Sequence, residues 1–146
     1  MRRLLRSAAA VAVAGCLLLC LPLRAAGADP TITAVSPILA NANQRITISG
    51  TGFGRFRPYI GDSSLIRIRD QSGRWNAGSA RDRPFDKVGL AVVSWTDTKI
   101  VLGGFRGAYG RFGWRLKPGD RLLIEIWNPQ SHAGPALYRT SVAAAF

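Results

Sequence analysis

The chain has 146 residues, with 20 Lys and Arg against 8 Asp and Glu and a net charge of +12. Its two cysteines, Cys16 and Cys20, both lie in the first twenty residues, and His132 is the one histidine. Once the leader described next is removed, this leaves no disulfide, no thiol chemistry and no Cys-based metal site.

Residues 1–28 read as a secretory signal peptide. Arg2, Arg3 and Arg6 form a basic start, residues 7–23 are apolar, and Ala26-Gly27-Ala28 is a small-x-small cleavage pattern. The apolar run is short for a membrane span, so a transmembrane segment is not expected in the mature chain. An alternative is lipoprotein processing, since residues 13–16 (VAGC) fit cleavage before a lipidated Cys16. Against it, residues 17–23 stay apolar where a lipoprotein turns polar. The Arg2-Arg3 pair alone is too little for twin-arginine export. Either route predicts export, to the periplasm or beyond the cell.

Removing 28 of the 146 residues leaves 118, which is one domain, residues 29–146. The leader takes four arginines, so the 20 basic residues fall to 16 against 8 acids, a net charge of +8. Such a balance draws anionic partners. The arginines are scattered, however, and general solvation of an exported protein accounts for them equally simply.

Strands are expected at residues 31–36, 45–49, 65–69, 88–95, 99–102, 121–127 and 137–143. In the second, Ile46 and Ile48 point one way and Arg45, Thr47 and Ser49 the other. Gly50, Gly52 and Gly54 then turn the backbone, and Phe53 is expected to plug a core. In the third, Ile66 and Ile68 face inward and Arg67 and Arg69 outward. In the sixth, Leu122, Ile124 and Ile126 share a face opposite Glu125, which is expected at the surface. No apolar helical spacing persists over ten residues after the leader. Residues 70–87 and 103–115 are expected to be long loops, the first polar with room for a short irregular strand, the second alternating Gly with aromatics and Arg. Short strands separated by Gly, Pro, Asp and Asn predict an all-β chain, an antiparallel β-sandwich of about seven strands.

Four segments carry a family resemblance: TITAVSP at 31–37, RITISGTGFG at 45–54, VSWTDTKI at 93–100 and GDRLLIEIWN at 119–128. In that order and spacing they resemble an IPT/TIG domain, and the likeness covers nearly all of the mature chain. It implies an immunoglobulin-like fold used for binding or spacing, with no catalysis and no particular ligand. Residues 70–87 depart from the compact family pattern, being longer and more charged.

Catalytic groups are scarce. His132 lies in a loop sequence where a solvated or capping role is the ordinary one, and Ser131 beside it makes no triad. Asp82 and Asp86 are flanked by Arg81 and Arg83, which makes local ion pairing the simpler reading than a calcium corner. The glycines near Gly50 are not a dinucleotide fingerprint, because no helix follows to receive a phosphate. No enzyme activity, cofactor or metal is expected.

Aromatics beside arginines offer the best functional hint. Trp114, Phe112, Tyr109 and Phe105 crowd the Gly-rich loop beside Arg106, Arg111 and Arg115, and alternation puts Trp127 on the Glu125 face, partly exposed. Of these, Tyr109, Arg111, Trp114, Arg115 and Trp127 are the candidate ligand-binding residues: rings stack on sugars while guanidinium groups bond hydroxyls or acids. Capping of the sandwich by the same rings is the competing reading for Trp114 and Trp127, whereas Trp95, Phe53 and Phe56 are assigned to the core or its edge. The expected partner is an envelope polysaccharide. The alternative is another exported protein, docked by strand addition or apolar contact. Nucleic acid is not expected, because export argues against it.

Overall fold

The computed structural model describes residues 29–78 and 88–144. The leader with its Cys16 alternative, and the Asp82 and Asp86 pair, lie outside the described residues. Among the described residues there is no helix, and ten strands run in chain order: β1 (Thr31–Val35), β2 (Ile38–Leu39), β3 (Ile46–Thr51), β4 (Tyr59–Gly61), β5 (Ile66–Asp70), β6 (Trp75–Ala77), β7 (Val88–Trp95), β8 (Lys99–Gly107), β9 (Arg121–Ile126) and β10 (Ala136–Ala143). Among the described residues, no helix is therefore long and apolar enough to cross a membrane.

The strands form one connected path, β1-β3-β8-β7-β6-β5-β9-β10-β2, with β4 added on β7. Two pairings are parallel, β2 with β10 and β6 with β7, the latter through Ala77↔Val88 alone. The chain is thus all-β, but its sheet is mixed and has more strands than the seven expected. The extra three are two or three residues long, too short for a period of two to show in sequence. β8 also runs five residues past the expected 99–102, through Gly103 and Gly104 to Gly107.

The sheet curls so that inward residues of its two halves meet in one core. Ile46, Ile48, Leu90, Ile100 and Leu102 come from one half, and Ile66, Ile68, Leu122, Ile124 and Ile126 from the other. Each is removed from water almost completely. Burying one such side chain contributes about 1.5–3 kcal/mol, and this cluster is what holds the fold without cross-links.

The Gly-rich turn after β3 closes one end of this core. Gly52 and Gly54 have φ of 71° and 69°, values that favour glycine. Phe53 is fully buried. Its carbonyl accepts the Trp95 indole N–H at 2.9 Å, and its N–H donates to the Asp97 carbonyl at 3.0 Å. The Asn128 side-chain amide donates to the Gly52 carbonyl at 2.8 Å. Three of the four segments that carry the family resemblance therefore meet at this turn.

Alternation on β5 and β9 holds, but the outer face is not uniformly open. Arg67 pairs in register with Glu125, and both side chains are buried and joined by an ion pair through Arg67 Nε. Arg69 Nη2 lies 3.7 Å from the other carboxylate oxygen. Glu125 was expected at the surface. Opposite charges directly across neighbouring strands satisfy each other, which lets the pair leave water.

Candidate functional site

β8 carries Phe105 into the core before the chain leaves the sheet at Gly107. The following loop is tied by its own backbone. Arg111 N–H donates to Ala108 O at 2.9 Å, Trp114 N–H to Arg111 O at 2.8 Å and Gly110 N–H to Trp114 O at 2.8 Å. Gly110 and Gly113 have φ of 87° and 81° with open space around them, so they serve the turn rather than a close approach.

Tyr109 is the stem of this loop. Its ring stacks on Phe105 with centroids 5.0 Å apart, and meets Trp75 edge-on at 5.9 Å. Its hydroxyl accepts the Leu116 N–H at 3.1 Å. Burial pushes the phenol above its ordinary range. Tyr109 is therefore half inside the protein, and its contribution is to anchor the loop.

The tip is different. Phe112 is 80 % exposed, the most exposed large apolar side chain among the described residues. It sits at φ 54°, a left-handed conformation uncommon for a bulky residue. Trp114, half-buried, lies against it at 5.3 Å with the planes tilted by 59°. Arg111 and Arg115 flank the two rings and are exposed. The loop thus brings together Arg111, Trp114 and Arg115, adds Phe112, and keeps Tyr109 at its base.

Trp127 does not join them. It is 7 % exposed and packs in the core, and its N–H donates to Leu65 O at 2.9 Å. The expectation of a partly exposed ring is corrected here for a physical reason. β9 ends at Ile126, so Trp127 follows the last alternating position, and the 129–135 loop closes over it, with Gly134 too close to Trp127 Cα to carry a side chain freely. Phe112 was the residue that sequence reasoning left out of the site. Its signal was present: a bulky ring between Gly110 and Gly113, two residues before Trp114 and next to Arg111.

Chemically, residues 108–116 offer two guanidinium groups, two aromatic faces and no carboxylate, imidazole, hydroxyl nucleophile or thiol apart from the anchored Tyr109. Among the described residues, no group of three or more His, Cys, Asp or Glu is placed to hold a metal. Comparison with protein-family models, curated proteins and solved structures found no match.

Proposed function

We propose that this chain is an exported, non-catalytic binding module of the IPT/TIG type, which contacts carbohydrate or another cell-envelope component through the 108–116 loop. The observation that carries the reading is the solvent-exposed Phe112 beside Trp114, set between Arg111 and Arg115 on a stem fixed by Tyr109. Phe112 and Trp114 lie side by side and form a contiguous aromatic patch rimmed by Arg111 and Arg115, the arrangement that marks contact surfaces rather than a lone exposed ring. The basic start, apolar run and small-residue site of the leader support export.

Strand order supports the immunoglobulin-like part of the reading. Setting aside the three shortest strands leaves β1, β3, β5, β7, β8, β9 and β10. Divided at the single Ala77↔Val88 pairing, these fall into β1-β3-β8-β7 and β5-β9-β10. Counted in chain order these groups run ABED and CFG, the orders found in the two sheets of immunoglobulin domains, although here they stay joined in one sheet.

Tryptophan fluorescence tests the binding claim. Trp75, Trp95 and Trp127 are 6 %, 5 % and 7 % exposed, so Trp114 alone of the four reports on the surface. Titration with a panel of envelope polysaccharides is expected to change emission for at least one, and Phe112→Ala to abolish the change. A flat response across the panel, with Trp114→Ala equally silent, rejects it.

A second reading has its own observation. Ile60 on the three-residue β4 is 76 % exposed, and β4 pairs only with β7. An exported protein adding a strand there would cover both. Pull-down from periplasm or medium should then recover one stoichiometric partner, lost on Ile60→Lys.

A further inference from the structure

Beyond the loop, the outer face of β5, β9 and β10 carries a second feature. Arg69, Leu123 and Arg139 lie in one cross-strand rung, and Arg121 pairs with Ser141 two rungs along, on the same face. Strands lie ~4.8 Å apart, so the backbones of Arg69 and Arg139 are about 10 Å from each other. Arg67 and Arg69 share Glu125. Among the described residues, no ion pair involves Arg121 or Arg139, and both are exposed. Between them lies a groove of about 370 Å³, lined by Gln71, Arg121, Leu122, Arg139, Thr140 and Ser141. It is an open groove rather than an enclosed cavity, a form that admits an extended chain.

We propose that this groove binds an acidic polysaccharide, with Arg121 and Arg139 gripping its carboxylate or sulfate groups and Gln71, Thr140 and Ser141 meeting its hydroxyls. The proposal rests on charge complementarity at these residues and stands whether or not the 108–116 loop binds anything. A guanidinium fork matches the geometry of an oxyanion with two parallel hydrogen bonds. Amide and hydroxyl side chains both donate and accept, which suits a sugar ring. No aromatic ring lines the groove, so bases of a single-stranded nucleic acid would have nothing to stack on. Its only apolar lining residue, Leu122, is 1 % exposed, so it offers nothing to insert into a lipid layer.

The test measures binding of fluorescently labelled polygalacturonate and dextran sulfate by anisotropy, at low and high salt. Neutral dextran, a single-stranded oligonucleotide and anionic lipid vesicles serve as comparisons. At least one acidic polysaccharide is expected to bind, more weakly as salt rises. Arg121→Ala and Arg139→Ala should each weaken it about tenfold, the usual scale for losing a charge-assisted hydrogen bond. Arg45→Ala, ahead of β3 and not among the residues that line the groove, should leave it unchanged. Both groove arginines are exposed, and a thermal melt checks that the variants fold. Equal affinity for neutral dextran, tighter binding of the oligonucleotide or vesicles, no binding of either acidic polysaccharide, or indifference to both arginine variants would overturn the proposal.

Discussion

Glu125→Gln offers the sharpest test of how the fold handles charge. The substitution keeps the shape of the side chain and removes its charge, leaving Arg67, whose side chain is 7 % exposed, without a counter-ion. Breaking a buried pair by removing one partner costs about 3–5 kcal/mol, because the remaining charge stays desolvated. Arg69 softens the loss little, since its side chain is 39 % exposed and turns to water. We therefore expect about 3 kcal/mol, at the lower end of that range. Unfolding entropy of ~2.1 cal/mol/K per residue gives about 0.25 kcal/mol/K for a domain of about 120 residues, so Tm should fall by roughly 12 °C. Urea unfolding followed by circular dichroism measures the loss as a lower midpoint at unchanged slope. The double variant Arg67→Met with Glu125→Leu isolates the cause: with both charges gone, stability should return to within about 1 kcal/mol of the parent. A Glu125→Gln protein as stable as the parent would mean that the pair is solvated. A double variant as weak as the single one would place the loss in packing, not in unpaired charge.

Two further outcomes follow from the same physical chemistry. Burial pushes the Tyr59 phenol up to about 12 from its ordinary 10.0, and its hydroxyl has no well-formed hydrogen bond. The folded state thus holds this proton longer than the unfolded one, so the contribution to stability is complete below pH 10.0 and is lost as pH rises towards about 12. Tyr59→Phe should flatten that part of the alkaline limb in urea titrations and leave neutral stability unchanged or up to about 1 kcal/mol higher; an unaltered limb would contradict it. At Gly50 a Cβ would run into the Thr31 carbonyl and the Phe53 ring. Gly50→Ala should cost about 2–3 kcal/mol by overpacking, whereas Gly119→Ala, with nothing within 4 Å but a φ of +86°, should cost only about 1 kcal/mol. Equal melting temperatures for the two would refute the packing argument.

The longer strands were legible because each buries one face. Ile46 and Ile48, or Leu122, Ile124 and Ile126, print a period of two on the sequence that no turn or helix shares. β2, β4 and β6 print none, being held by neighbours rather than by their own pattern. The end of β8 was misread for a related reason. Gly103 and Gly104 look like loop residues, yet they lie in a strand: Gly103 sits tightly beside Val93 and Ala91, and Gly104, at φ +92°, passes against the Ala42 backbone with no room for a side chain. Periodicity also says which residues share a face, but not whether that face is covered. For this reason Glu125 was expected at the surface and Trp127 partly exposed, and both are buried. The loop residues beyond Gly107 were easier to find, since Gly110 and Gly113, both at positive φ, break any strand pattern around Phe112. Which ring forms the stem and which the tip depends on contacts of Tyr109 with Phe105 and Trp75, and Trp75 is thirty-four positions earlier in the chain.

Net charge by itself could not separate a ligand site from ordinary solvation, and the fold supplies the distinction residue by residue. Arg67 and Arg69 are committed to Glu125. Arg106 is committed to the backbone turn beneath it, donating through Nη1 to Asn43 Oδ1 at 3.1 Å and to Phe105 O at 2.8 Å. These three serve the scaffold, and their charge is largely spent on it. Arg111 and Arg115 on the loop, and Arg121 and Arg139 in the groove, are exposed and project their charge outward. The scattering seen in the sequence is a consequence of sheet topology. Arg69, Arg121 and Arg139 are far apart in the chain, but register on β5, β9 and β10 sets them on one face. A cluster made this way is invisible to any search for runs of basic residues. It requires antiparallel register, which only the folded chain provides, and it gives a purely β-structured surface a means of recognising an anion without a helix terminus or a metal.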